Sequence, residues 1–209
     1  ISSIFNINFK NKIKNYFLIN EFEIIGVPNK EKGIILDDLK KFKNKNIFFL
    51  KSNFFIKEFE KYNFLEKVTI KKILPSKLHI STIKTKFIAT TYINGKKYFV
   101  GKNGKLSELD TLTINQEYPI IFGKFQIEDY IYLYKILQKE KFKNLNINKF
   151  FYHKNKRWDL LTNNNILIKL PSDNISTALD YYLAIYSSNH LTKGRVFDLR
   201  IKNRIITHD

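Results

Sequence analysis

Phe64 to Ala89 reads FLEKVTIKKILPSKLHISTIKTKFIA, two β-type runs on either side of Pro75-Ser76. The first run, Phe64 to Ile73, carries Val68, Ile70 and Ile73; the second, Lys77 to Thr85, alternates through Leu78, Ile80 and Thr82. Alternation of this kind marks a strand with one buried face, and a proline between the runs removes no ladder hydrogen bond, so the pair is predicted as a hairpin. Upstream, Tyr16 to Gly26 is β-rich and is closed by Gly26 and Pro28. Lys30 to Phe42 has Ile34, Ile35, Leu39 and Phe42 at helical spacing, and Asn46 to Leu50 is a short apolar segment. A second helix, capped by Ser52 or Asn53, runs to about Lys61 with Phe54, Phe55, Ile56 and Phe59 on its apolar side. The order strand, helix, helix, strand, strand predicts a three-stranded sheet covered on one face by two helices.

Composition sets the outer limits. A chain of 209 residues, 44% hydrophobic and 15% aromatic, can bury a real core in one large or two small domains. No cysteine is present, which removes disulfides and cysteine-based metal or redox sites. No run of apolar residues is long enough to span a bilayer. The sequence opens at Ile1 without methionine, and a signal or membrane anchor is expected to precede it. Although the net charge is +18, only Arg157, Arg195, Arg200 and Arg204 are arginines, and the lysines are scattered along the chain. Sequence-reading nucleic-acid proteins rely on arginine forks and clustered patches, so specific nucleic-acid binding is not expected. Loose attraction to anionic headgroups fits the charge better.

Beyond Ala89, Thr91 to Val100 reads as a hairpin around Asn94-Gly95, a dipeptide suited to positive φ. Asp129 to Lys141 places Tyr130, Ile131, Tyr134 and Leu137 at helical spacing. Ile147 to His153, Arg157 to Leu161 and Ile166 to Leu170 suggest an antiparallel meander, and Ser176 to Ser187 a helix. The final stretch, Gly194 to Asp209, holds two β-type runs, Arg195 to Ile201 and Arg204 to His208, around a polar turn. This terminal hairpin leaves an outer strand edge open, which is either an aggregation liability or a binding site. Asp198 and Arg200 share strand parity and alternate with Phe197, Leu199 and Ile201, which predicts one charged and one apolar face.

Nothing in the chain points to catalysis. His79, His153, His190 and His208 are isolated in sequence, and no metal-spaced pair occurs. Asp37-Asp38 and Glu128-Asp129 are placed at helix starts, where negative charge is stabilising. Gly101 and Gly104 are turn glycines without a phosphate-binding lysine and following helix, and Trp158 is read as a core or hairpin anchor. No catalytic, cofactor or metal residue is assigned, and no small-molecule substrate is expected.

The first five elements resemble a POTRA domain, and Leu74, Pro75, Leu78, Ile80 and Ala89 match a pattern of the FtsQ (DivIB) family of division proteins. Phe87 stands where that pattern has proline and Lys84 where it has glutamate. Val100 to Leu106 and Tyr118 to Gly123 resemble later elements of the family, and the passage from Trp158 through Leu170-Pro171, Ala178-Leu179 and Val196 to Arg200 resembles its C-terminal half in order and spacing. The resemblance implies an α+β fold: a juxtamembrane segment over 1–15, a POTRA domain (β-α-α-β-β) over 16–86, and over 87–209 a β domain of antiparallel strands with flanking helices. It also implies a non-enzymatic divisome scaffold that recruits and holds FtsB with FtsL at the septum. Such a protein is anchored in the inner membrane by a single helix, expected upstream of Ile1, with this region in the periplasm. In the family an FtsB segment adds as a strand to the last strands, and an arginine faces an acidic residue of the partner. Carried over, these roles fall on Arg200, Ile201, Arg204, Ile205, Ile206 and Thr207. An alternative is a POTRA-containing outer-membrane assembly or secretion factor that binds extended polypeptides, for which tandem repeats or a barrel would be expected.

Overall fold

A computed structural model describes residues 16–108, 116–187, 195–202 and 204–208. The expected juxtamembrane segment, residues 1–15, lies outside them, as do His190, Gly194, Asn203 and Asp209. The chain divides into two compact units between Thr85 and Lys86.

The first unit comprises β1 (Glu21–Ile25), α1 (Asn29–Leu39), α2 (Ser52–Phe59), β2 (Leu65–Ile73) and β3 (Lys77–Lys84). Its sheet has the order β1-β3-β2, with β2 and β3 antiparallel and β1 parallel to β3. A parallel neighbour needs a crossover, which the two helices between β1 and β2 supply. Ile24, Ile35, Leu39, Phe42, Phe55, Phe59, Leu78 and Ile80 form the core.

Several sequence expectations change here. The predicted strand from Tyr16 shrinks to Glu21–Ile25 because the residues before it are held elsewhere: Leu18 bridges Asn46, the Ile19 N–H donates to the Lys45 carbonyl, and the Asn44 N–H donates to the Ile19 carbonyl. Asp37 and Asp38 occupy the last turn of α1 rather than a helix start. There they are tolerated by cations, Lys40 beside Asp37 and Lys61 beside Asp38, each at 2.6 Å. In α2 only Phe55 and Phe59, one helical turn apart, face inward, and Phe54 and Ile56 are exposed.

Two features lock the unit. Gly26 ends β1 with φ +94°, and a Cβ there would lie 1.8 Å from the Thr82 carbonyl oxygen, so the position admits only glycine. Glu31 of α1 is buried and takes a hydrogen bond from Lys84 Nζ of β3 at 2.8 Å. The lysine that departs from the resemblance pattern thus neutralises a buried carboxylate.

The second unit carries β4 (Phe87–Ile93), β5 (Lys96–Gly101), β6 (Leu106–Ser107), β7 (Ile120–Phe122), α3 (Ile127–Leu137), β8 (Ile147–Tyr152), β9 (Trp158–Thr162), β10 (Leu167–Lys169), α4 (Ile175–Ser187), β11 (Val196–Asp198) and β12 (Ile206–His208). They form one nine-stranded sheet in the order β12-β11-β10-β9-β8-β7-β4-β5-β6. The β4–β5 hairpin turns at Asn94 and Gly95, with φ 50° and 77°, as an Asn-Gly pair requires.

The expectation of a β domain of antiparallel strands holds only in part, because the sheet is mixed. β8, β9 and β10 form the predicted meander, but β4 runs parallel to β7, β7 to β8, and β10 to β11. Connectivity accounts for the β7–β8 and β10–β11 pairs: α3 lies between β7 and β8, and α4 between β10 and β11, so each helix carries the chain back to start a parallel neighbour.

α3 buries Tyr130, Leu133, Ile136 and Leu137, and α4 buries Leu179 and Tyr182, in one core with Ala89, Val100, Ile121, Phe150, Leu160, Ile168 and Phe197. Trp158 is its centre: Tyr152, Tyr130, Phe125 and Phe150 surround it at ring separations of 4.6, 5.9, 6.1 and 6.3 Å. The Tyr130 hydroxyl donates to the Ile88 carbonyl at 3.3 Å, and burial raises its pKa. Glu128 and Asp129 do sit in the first turn of α3, and Asp129 accepts a 2.6 Å hydrogen bond from Tyr152, whose pKa is pushed up to about 12 by that carboxylate.

Candidate partner-binding edge

The nine-stranded sheet ends in β12, and among the described residues no strand pairs with its outer side. β12 is held from within by β11, in the register Val196 to His208, Phe197 to Thr207 and Asp198 to Ile206. β11 in turn lies parallel to β10, with the Leu167 N–H donating to the Arg195 carbonyl and the Leu199 N–H to the Lys169 carbonyl. Phe197 fixes this edge to the core. It is fully buried, with its ring 5.1 Å from Tyr182 and 6.2 Å from Tyr186 of α4.

The predicted alternation of a charged and an apolar face from Phe197 to Ile201 does not hold. Phe197, Asp198 and Leu199 are all buried, because the strand stops at Asp198. The Asp198 carboxylate accepts the Arg200 backbone N–H at 3.1 Å, an Asx turn that bends the chain out of the ladder. It also accepts Arg200 Nε at 2.7 and 2.9 Å, and Nη2 closes the fork. These bonds hold the Asp198 carboxyl below its ordinary pKa and raise that of Arg200.

The six residues assigned from the sequence fall into two groups. Arg200, Ile201 and Arg204 line a groove of about 340 Å³, together with Pro171, Asn174 and Tyr181 from the β10–α4 connection and the first half of α4. Ile205, Ile206 and Thr207 run into β12: Ile205 packs on the core, while Ile206 and Thr207 are exposed. The structure therefore places a groove lined by the cations Arg200, Lys202 and Arg204 and by one carboxylate, Asp173, next to a strand edge that no described residue pairs with. Tyr181 could be suspected from the tyrosine cluster of α4. Pro171 and Asn174 had no signal, since their place at the groove depends on the parallel return of β11.

Such an arrangement can accept an extended segment by main-chain pairing and can attract carboxylates beside it. Among the described residues no group of three or more His, Asp or Glu side chains is placed to hold a metal, and no helix is long and apolar enough to cross a membrane.

Comparison with known proteins gives the family. The chain is 27% identical over 194 residues to the cell division protein FtsQ of Rickettsia prowazekii, covering 90% of this chain and 71% of that protein. It is likewise 27% identical over 197 residues to FtsQ of Rickettsia felis, with the same coverage. A solved structure, the major extracytoplasmic domain of the cell division protein DivIB from Geobacillus stearothermophilus, matches at 15% identity and a TM-score of 0.34, over 53% of this chain and 98% of that one. That likeness is too distant to bear on the fold. The sequence model of the C-terminal region of cell division protein FtsQ/DivIB matches residues 89–200, which is more than half of the chain and runs from β4 to Arg200. On that match, the chain belongs to the FtsQ/DivIB family of cell division proteins.

Proposed function

We propose that this chain is a non-enzymatic scaffold of the divisome that holds FtsB, together with FtsL, at the septum by accepting an FtsB segment as a further strand on β12. The carrying observation is the outer side of β12, unpaired among the described residues and flanked by the basic groove at Arg200 and Arg204. Main-chain pairing with β12 supplies affinity, and the cations set register and selectivity for an acidic segment. Although Arg200 is engaged by Asp198, its side chain remains 39% exposed and can meet a second carboxylate. The first unit acts as a POTRA domain, a reading supported by its β-α-α-β-β order and its β1-β3-β2 sheet, and contributes contacts for localisation. The protein is held in the inner membrane by one helix, with these units in the periplasm.

The test uses the alternation of backbone groups along a strand. Of two adjacent residues in β12, one directs its N–H towards β11 and the other outward. Ile206→Pro and Thr207→Pro are compared for thermal stability and for binding to an FtsB ectodomain. The variant that removes the outward N–H should keep its melting temperature and lose affinity by about tenfold or more, roughly 1.4 kcal/mol. If it folds and binds like the parent, strand addition at β12 is wrong.

A further inference from the structure

The first unit exposes three phenylalanine rings, of which Phe48 still packs edge-on against Phe17 at 4.9 Å and Phe54 against Phe42 at 6.3 Å, and Phe49 is the barest. Phe49 is 85% exposed, Phe48 56% and Phe54 55%. Phe48 and Phe49 lie on a firmly held segment: Ile47 and Leu50 are buried on either side, the Ile47 N–H donates to the Phe17 carbonyl at 2.9 Å, and the Phe48 N–H donates to the Asn46 side chain at 2.9 Å. Two adjacent rings are thus presented at the tip of an anchored turn, immediately before α2.

Charge around this tip has one sign. From Lys40 to Lys57 the chain has six lysines and no aspartate or glutamate. Lys40 and Lys41 are paired with Asp37 and Glu58 from outside the segment. Lys43, Lys45, Lys51 and Lys57 are exposed and make no ion pair with a described residue. Exposed rings framed by unpaired ammonium groups are what an anionic lipid surface recognises: the rings enter the headgroup boundary while flexible lysine stems keep their charges among the phosphates. Bare rings beside flexible cations can be met by a fluid lipid surface without a complementary pocket. We propose that the Asn46–Leu50 turn is a membrane-surface contact, with Phe48 and Phe49 inserted among anionic lipids and Lys43, Lys45 and Lys51 held at their headgroups.

Because a net charge of +18 would draw the whole chain to any anionic surface, the decisive variants leave charge untouched. The chain is co-sedimented with vesicles of phosphatidylglycerol mixed with phosphatidylcholine, and with vesicles of phosphatidylcholine alone, at low and moderate salt. The parent should bind the anionic vesicles with a part that survives moderate salt; Phe49→Ser should lose much of that part at unchanged melting temperature, and the pair Phe48→Ser with Phe49→Ser should lose it altogether. Neutralising Lys43, Lys45 and Lys51 to glutamine should weaken binding by about fivefold per lysine, whereas neutralising Lys102, Lys154 and Lys156 of the second unit should weaken it far less. In Phe49→Trp, the emission added to that of the parent should shift to the blue on anionic vesicles and be quenched by brominated lipid. Parental binding by the double serine variant, equal effects from the two lysine sets, or an unshifted added emission in Phe49→Trp would each overturn the proposal.

Discussion

The Arg200 guanidinium closes on the carboxylate two residues before it, Nε lying 2.7 Å from Asp198 Oδ1, while the Arg200 backbone N–H bonds the same oxygen at 3.1 Å. One buried carboxylate therefore ends β11, turns the chain and orients the arginine at the groove. Asp198→Asn keeps the shape and removes the charge. It should lower stability at neutral pH by about 1 kcal/mol, kept small by the exposure of the arginine.

The pH dependence of that loss has a definite sign. The folded pKa of Asp198 lies below its ordinary value, so its contribution is complete above about pH 4 and disappears as pH falls through the depressed value. Urea unfolding of parent and Asp198→Asn should show a difference at pH 7 that vanishes in strong acid.

Lys84→Met should destabilise the first unit by about 3 kcal/mol, because it strands the Glu31 carboxylate in the core. Adding Glu31→Leu should recover most of that loss in the double variant, which chemical denaturation of the four forms would measure.

Gly123 has φ +98°, and a Cβ there would lie 2.3 Å from the Tyr152 carbonyl oxygen. Gly123→Ala should cost the second unit about 2 kcal/mol or more, whereas Gly104→Ala, with open space around its Cβ, should cost less despite a φ of +73°. Differential scanning calorimetry of the two variants distinguishes steric from conformational cost.

Trp158→Ala should cost about 3–5 kcal/mol, since four aromatic rings lose their common neighbour. Trp158→Phe, which keeps a ring in place, should cost clearly less by the same measurement.

What the sequence revealed tracks how local the determining forces are. The β2–β3 hairpin and the β8–β9–β10 meander were readable because alternation and turn residues lie within a few positions of each other. β11 was read as a strand, but β7 and β11 have three residues each and pair in parallel with strands distant in sequence, so no local period announces those pairings. Asp37 and Asp38 misled because adjacent carboxylates fit a helix start, and only Lys40 and Lys61 make the opposite end acceptable. At the edge, the resemblance pointed to Arg200, and place in the terminal hairpin to Ile201 and Arg204, while the groove they line required the tertiary return through α4.

The parallel pairing of β10 with β11 gives the edge a place in time as well as in space. β12 can be held only by β11, and β11 can dock only after the chain from Lys169 has passed through α4 and returned to Val196. Contacts that close long loops form late in folding, because their entropy must be lost before any pairing compensates it. By this rule the edge is assembled after the meander and the Trp158 cluster, and until β11 docks the open side of the sheet is that of β10. Folding order thus decides which strand stands at the margin of the sheet at each stage, and β12 takes that place last.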